Sequence, residues 1–253
     1  MGSFTRDDFP HTVLLVGESG CGKHMVARMA ADKLGLPLID ITEELGYDLI
    51  ANIQTASSGG MYLINLNGLG ERQQNVLLKF AEEPSENVYV TLIANSDGGV
   101  LETVLNRCYV MRFKPYSSDE LRQFSSDDAT LRYCRTPGQI KSAADNLSGI
   151  ESLCKTIVGK LGRARFDNAM SIADKLNYKD EYDKYDATVF MRILLTSLAD
   201  DCIINKKRSS VALYGIVNDA QSKMTDVRMN RRLLIENMLT RMWRCLRDDM
   251  QRT

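Results

Sequence analysis

The sequence predicts an α/β domain with a parallel sheet around a phosphate-binding loop, followed by a small helical domain and an all-helical bundle. Three observations carry this. A β-branched and leucine-rich run, Thr12–Val16, leads into a glycine-rich turn over residues 17–22 and then a helix-length segment over 25–34. Apolar runs then alternate with helical ones as far as Pro115, the pattern of a parallel sheet with helices on its faces. Beyond Pro115 the strand-like runs disappear and helical spacing takes over.

The first helix is closed by Gly35 and Pro37, because glycine accepts the left-handed cap and proline cannot continue a helix. Residues 38–41, 61–66 and 88–93 read as further buried strands, with a helix from about 71 to 82 between the last two. The α/β domain is expected over 1–115. A helical unit over 116–161 is punctuated by Thr136-Pro137-Gly138, and a bundle over 162–253 has helices near 166–176, 187–204, 209–224 and 230–247. In the last of these Leu234, Met238, Met242 and Leu246 recur on one face beside Ile235, Leu239 and Trp243, a wide apolar stripe. The interspersed Arg228, Arg231, Arg232, Arg241, Arg244 and Arg247 are expected to be solvated or to face a neighbouring subunit, the alternative being contact with DNA. Lys206, Lys207 and Arg208, and the stretch 178–186, read as exposed connections.

Composition bounds the function. A chain of 253 residues, 44% hydrophobic and 26% charged, can bury two or three small cores. Its net charge of -1 supplies no overall drive toward nucleic acid or anionic membrane, so any DNA contact must come from a local basic patch. Cys21, Cys108, Cys134, Cys154, Cys202 and Cys245 contain no CxxC pair, which argues against a zinc ribbon and a disulfide framework. The amino-terminal residues are polar and acidic, and no apolar run approaches spanning length, so a cytoplasmic protein without membrane contact is expected.

Gly17-Glu18-Ser19-Gly20-Cys21-Gly22-Lys23 fits G-x-x-x-x-G-K between a strand and a helix. In such a loop backbone N–H groups point at phosphate oxygens, the helix N-terminus adds partial positive charge, and the lysine reaches the terminal phosphates. The alternative is a glycine turn that merely caps a helix. His24 then stands where a serine or threonine would hold magnesium, and imidazole offers nitrogen where Mg²⁺ prefers oxygen. Hydrolysis also needs acidic residues at a nearby strand end, yet residues 61–67 contain Asn65 and Asn67 and no carboxylate. ATP or ADP binding at the loop is therefore expected to be weak or structural, without intrinsic hydrolysis.

Three ordered segments carry a resemblance. The run 73–84, Gln-Gln-Asn-Val-Leu-Leu-Lys-Phe-Ala-Glu-Glu-Pro, is followed by the apolar run 87–95 and then by Leu105-Asn106-Arg107-Cys108, with Phe113 beyond. This resembles the AAA+ clamp-loader family, most closely the DNA polymerase III delta-prime type, in a compact form such as a phage might encode. Residues 136–143 are similar to the family's lid motif and 231–239 to the last helix of its oligomerising collar.

The resemblance implies an AAA+ P-loop domain, a lid and a collar, in a hetero-oligomeric ring that opens a sliding clamp and places it on primer-template DNA. It implies that Arg107 acts in trans, touching phosphate bound by a neighbouring subunit. A planar, permanently charged guanidinium suits that task. Asn106 replaces the family's serine, Gln139 stands in for its lid arginine, and Asn95 or Ser96 would fill its polar sensor position. The nucleotide-binding set would be Gly17, Glu18, Ser19, Gly20, Cys21, Gly22, Lys23, His24 and Asn95, with no zinc and no metal ligands. The alternative function is an active P-loop ATPase, such as a divergent motor subunit or a helicase loader.

Overall fold

The computed structural model describes residues 9–55, 59–78, 85, 87–177, 185–205 and 208–252. They form two compact units. The first ends at Pro115 but also takes in Thr225–Met229, and the second comprises Tyr116–Met224 with the chain from Asn230 onward.

The first unit contains β1 (Thr12–Val16), α1 (Lys23–Leu34), β2 (Leu38–Asp40), α2 (Tyr47–Thr55), β3 (Gly60–Asn65), α3 (Glu71–Val76), β4 (Val88–Ala94), α4 (Glu102–Leu105) and β5 (Tyr109–Arg112). The sheet is parallel throughout, in the order β2-β3-β4-β1-β5. Side chains alternate between its faces. Val13 and Leu15 pack with Ala27 of α1, Leu63 and Ile93, whereas Leu14 and Val16 pack with Ile64, Val90 and Leu92. Both faces are covered, which is why β1 and β4 read as unbroken apolar runs with every residue buried.

One expectation needs correction here. β2 is not a buried strand: it is a three-residue edge with one neighbour, and Ile39 and Asp40 are exposed. The opposite edge, β5, has a sequence too short and too exposed for its periodicity to mark it. Of the helix expected over 71–82, Glu71–Val76 is helical as α3, Leu77 is a turn and Leu78 is helical again, while residues 79–84 lie outside the described residues.

The second unit contains α5 (Ser118–Arg122), α6 (Asp128–Tyr133), α7 (Pro137–Ala143), α8 (Leu147–Lys160), α9 (Phe166–Met170), β6 (Leu176–Asn177), β7 (Tyr185–Asp186), α10 (Ala187–Asn205), α11 (Arg208–Lys223) and α12 (Arg231–Arg252). Three of its helices start where a side chain accepts orphan N–H groups. Ser117 and Glu120 form a capping box on α5, Asp127 caps α6, and Thr136 with Pro137 opens α7. One apolar core joins Ile150, Cys154 and Ile157 of α8 to Phe190 and Leu194 of α10 and to Ile235, Met238 and Met242 of α12. The division expected near residue 161 therefore does not separate two cores.

The single helix expected over 166–176 is broken. α9 stops at Met170, a 3-10 turn covers Ala173–Lys175, and β6 then pairs in parallel with β7. Strand pairing thus reappears after Pro115, in a two-residue parallel ladder between segments nine residues apart. Of the exposed connections expected from the sequence, residues 178–184 and 206–207 lie outside the described residues.

Candidate phosphate-binding loop and arginine site

The loop after β1 and the turn after β4 sit side by side at the carboxyl ends of the strands, where sheet order reverses direction. That crevice is the usual ligand position of an open α/β sheet. Gly17 N–H donates to the Ala94 carbonyl at 3.1 Å and fastens the loop to β4. Gly20 and Gly22 have φ of 80° and 102°, so the turn needs residues without a Cβ there. At Gly17 a Cβ would lie 2.8 Å from Cys21 Sγ and from Phe113 Cβ. Glu18 and Ser19 are half-buried, and Gly20 is exposed on the loop's rim.

Lys23 is only 5% exposed. Its ammonium donates to the carbonyls of Gly17 at 2.5 Å and Glu18 at 3.0 Å, and to Asn95 Oδ1 at 3.2 Å. Cys21 Sγ lies 3.9 Å away. Burial pushes the Cys21 thiol above its ordinary value, against a partial opposing effect of the Lys23 charge, so the sulfur is a neutral packing group. A triphosphate at this loop would need the ammonium to exchange carbonyl partners for phosphate oxygens.

The strand ends beside the lysine are joined by amides. Asn65 Oδ1 accepts from Asn67 N at 3.0 Å and Asn67 Nδ2 at 2.6 Å, and Asn67 Oδ1 accepts from Asn95 N at 3.0 Å. With the Asn95–Lys23 bond this makes one chain, Asn65–Asn67–Asn95–Lys23, holding no carboxylate. His24 is exposed at the start of α1. The residues present do not fit a magnesium site, because neutral amides and an imidazole stand where hard anionic oxygens are required. Among the described residues no group of three or more His, Cys, Asp or Glu could hold a metal.

Arg107 is placed on a different connection, the turn between α4 and β5. It is exposed, with Nη1 donating to the Thr103 carbonyl at 3.0 Å. Its neighbour Cys108 turns inward against the apolar core, and burial pushes its thiol up to about 12. Two bonds from Arg112, at 3.1 and 2.9 Å to Asp97 Oδ2, tie the end of β5 to the turn after β4 and hold the Asp97 carboxyl below the usual range.

Several residues that sequence reasoning gave no structural role hold this end of the sheet together. Gln74, fully buried, donates to the carbonyls of Leu69 and Gly99 and accepts from Leu101 N, fixing the connection that leads to α4. Residues 225–229, between α11 and α12, act as a strap. Val227 is 2% exposed within the first unit's core, its N–H donates to Gly98 O at 2.9 Å, and its carbonyl accepts from Gly68 N. Ser96, the alternative sensor residue, donates its hydroxyl to Thr225 O. In the second unit Gln139 is interior, its Oε1 accepting from Arg135 N at 2.8 Å and Arg192 Nη1 at 3.0 Å. Its place within the TPG segment was legible, but its burial was not.

Residues 42–117 match the family model described as DNA polymerase III, delta subunit. No curated protein matches the chain. Among solved structures, a DNA polymerase III gamma subunit-related protein from Thermotoga maritima is 15% identical, with 94% of this chain and 96% of that one covered at a TM-score of 0.45. The Thermotoga maritima RuvB Holliday junction branch migration motor is 16% identical, covering 88% and 80% at a TM-score of 0.46. Superpositions at that level carry no statement about activity. The matched segment spans the strand-end asparagines Asn65 and Asn67, Asn95 and Arg107, and it is this part of the chain that is similar to the DNA polymerase III delta subunit family.

Proposed function

We propose that this chain is a non-hydrolysing, delta-prime-like clamp-loader subunit that lends Arg107 to the ATP site of a neighbouring subunit. The observation that carries the reading is the amide chain Asn65–Asn67–Asn95–Lys23, which fills the catalytic crevice with neutral partners and engages the loop lysine. Without a carboxylate to hold a metal or polarise water, the crevice lacks what phosphoryl transfer requires. Arg107, by contrast, is exposed on a short turn. An arginine delivered in trans accelerates nucleotide hydrolysis by about three to five orders of magnitude in well-studied hydrolases.

The partners that follow are the other subunits of a hetero-oligomeric ring, the sliding clamp and primer-template DNA. ATP or ADP at residues 17–23 would be a structural ligand. The test is reconstitution: the purified chain alone should hydrolyse no ATP, and Arg107→Ala should suppress the clamp- and DNA-stimulated ATPase of the assembled complex without preventing assembly. Hydrolysis by the isolated chain that disappears in Lys23→Ala would overturn the reading. So would a complex whose ATPase ignores Arg107→Ala.

A further inference from the structure

The second unit has a hollow of about 410 Å³ lined by Tyr116, Ser118, Leu121, Arg122, Leu131, Arg132 and Arg135. Three of the seven lining residues are arginines and none is acidic. The guanidinium groups of Arg132 and Arg135 have no carboxylate partner among the described residues. Arg132 lies over the Tyr133 ring at 5.5 Å, and Arg135 Nη1 donates to the carbonyls of Leu131, Arg132 and Cys134 at the end of α6. Arg122 makes a 3.3 Å pair with Asp128, both side chains being mostly exposed, a contact worth little in water. Other described arginines differ: Arg112, Arg228, Arg232 and Arg241 each hold a carboxylate at 3.1 Å or less.

Two further carboxylates near the hollow are committed elsewhere. Glu120 accepts from Ser117 in the capping box of α5, and Asp127 accepts from Ala129 and Thr130 at the start of α6. Leu121, 4% exposed, and Leu131 supply an apolar floor. At the rim Tyr116 meets Phe124 edge to face at 6.5 Å, and Phe124 is 54% exposed. Planar guanidinium forks match phosphate oxygens, and an exposed aromatic ring offers a face on which a base can stack.

The geometry points to a binding site for one nucleotide unit, a phosphate held by Arg122 and Arg132 with its base against the Tyr116–Phe124 edge. The hollow is of the size that encloses a small ligand rather than a long polymer. The acidic caps on either side also favour a compact group over an extended polyanion. The unit could be a free mononucleotide or one residue of a single strand. None of residues 17–23 lines the hollow, so the inference stands whether or not the proposed function does.

Fluorescence anisotropy of a labelled oligothymidylate, with and without thymidine monophosphate as competitor, tests the site on the full chain. Arg132→Ala and Arg122→Ala should each weaken binding about tenfold, the scale of one charge-assisted phosphate contact. If the ligand is a strand, each should also lower the salt slope by about 0.7. Displacement by the monophosphate at equal or lower concentration would identify the free nucleotide as the source; persistence of the oligonucleotide would identify the strand. Both substitutions replace exposed side chains, so circular dichroism should stay unchanged. Arg163→Ala, also exposed and outside the hollow, is the control. The inference fails if neither ligand binds, if Arg163→Ala weakens binding as much, if binding depends on Lys23, or if polyglutamate displaces the oligonucleotide and the monophosphate does not.

Discussion

Lys23 and Asn95 are joined by a 3.2 Å hydrogen bond from the loop ammonium to the amide oxygen at the end of β4. Residues 72 positions apart thereby close the crevice in which an ATPase would place its phosphates and metal. The same ammonium satisfies two loop carbonyls, so the lysine serves as an internal brace.

Removing that brace should cost stability. Lys23→Ala strips a donor from the carbonyls of Gly17 and Glu18 and from Asn95, and a loss of about 1–3 kcal/mol is expected for leaving such groups unsatisfied. Urea unfolding of the purified chain would measure it. An unchanged midpoint would mean that the ammonium is not held in the loop.

Gln74→Leu should destabilise the first unit by about 1–3 kcal/mol, because the Leu69 and Gly99 carbonyls and the Leu101 N–H lose a side-chain partner at a buried position. Arg72→Ala, on the exposed side of the same helix, should stay within about 0.5 kcal/mol. Equal melting temperatures for the two variants would contradict the bridging role.

Gly99→Ala should release the strap. Gly99 has φ of 82°, and a Cβ there would run into Asp226 and come within 3.0 Å of Arg228 Nε. A cost above about 1 kcal/mol is expected where alanine is forced into that conformation. Amide hydrogen exchange at Val227, whose N–H is bonded to Gly98 O, should accelerate far more than exchange in β4. Uniform acceleration across both would point to general unfolding instead.

Cys108 should resist thiol reagents in the folded chain. Its thiol ordinarily titrates near 9.0 and is pushed up to about 12 by burial, so it stays protonated and unreactive at pH 8 to 10. Between those two values the unfolded chain releases a proton that the folded chain keeps, so this group's contribution to stability falls as the pH climbs. Rapid labelling of Cys108 at pH 8 under native conditions, read by mass spectrometry, would refute the buried placement.

Much of the fold was legible locally. Thr12–Val16, the glycine loop and α1 follow from residue type and period within a short window, and the absence of a carboxylate in 61–67 is a direct reading of β3. The edges were less legible: β2 is exposed and β5 lacks a pattern, because burial there depends on which strands become neighbours. The break after Met170 escaped for a similar reason, since helical spacing persists in sequence while β6 is pulled into a ladder with β7.

The candidate site divides the same way. Sequence alone determined the loop, its lysine, the uncharged strand end and the arginine at 107, because each is a residue type at a fixed offset from a strand or helix. Only tertiary structure decided that Lys23 bonds to Asn95, that Gln74 bridges two connections, that Val227 completes the first unit's core and that Gln139 is interior. Those contacts join residues far apart in the chain, and their existence depends on strand order and helix docking, which no local pattern encodes.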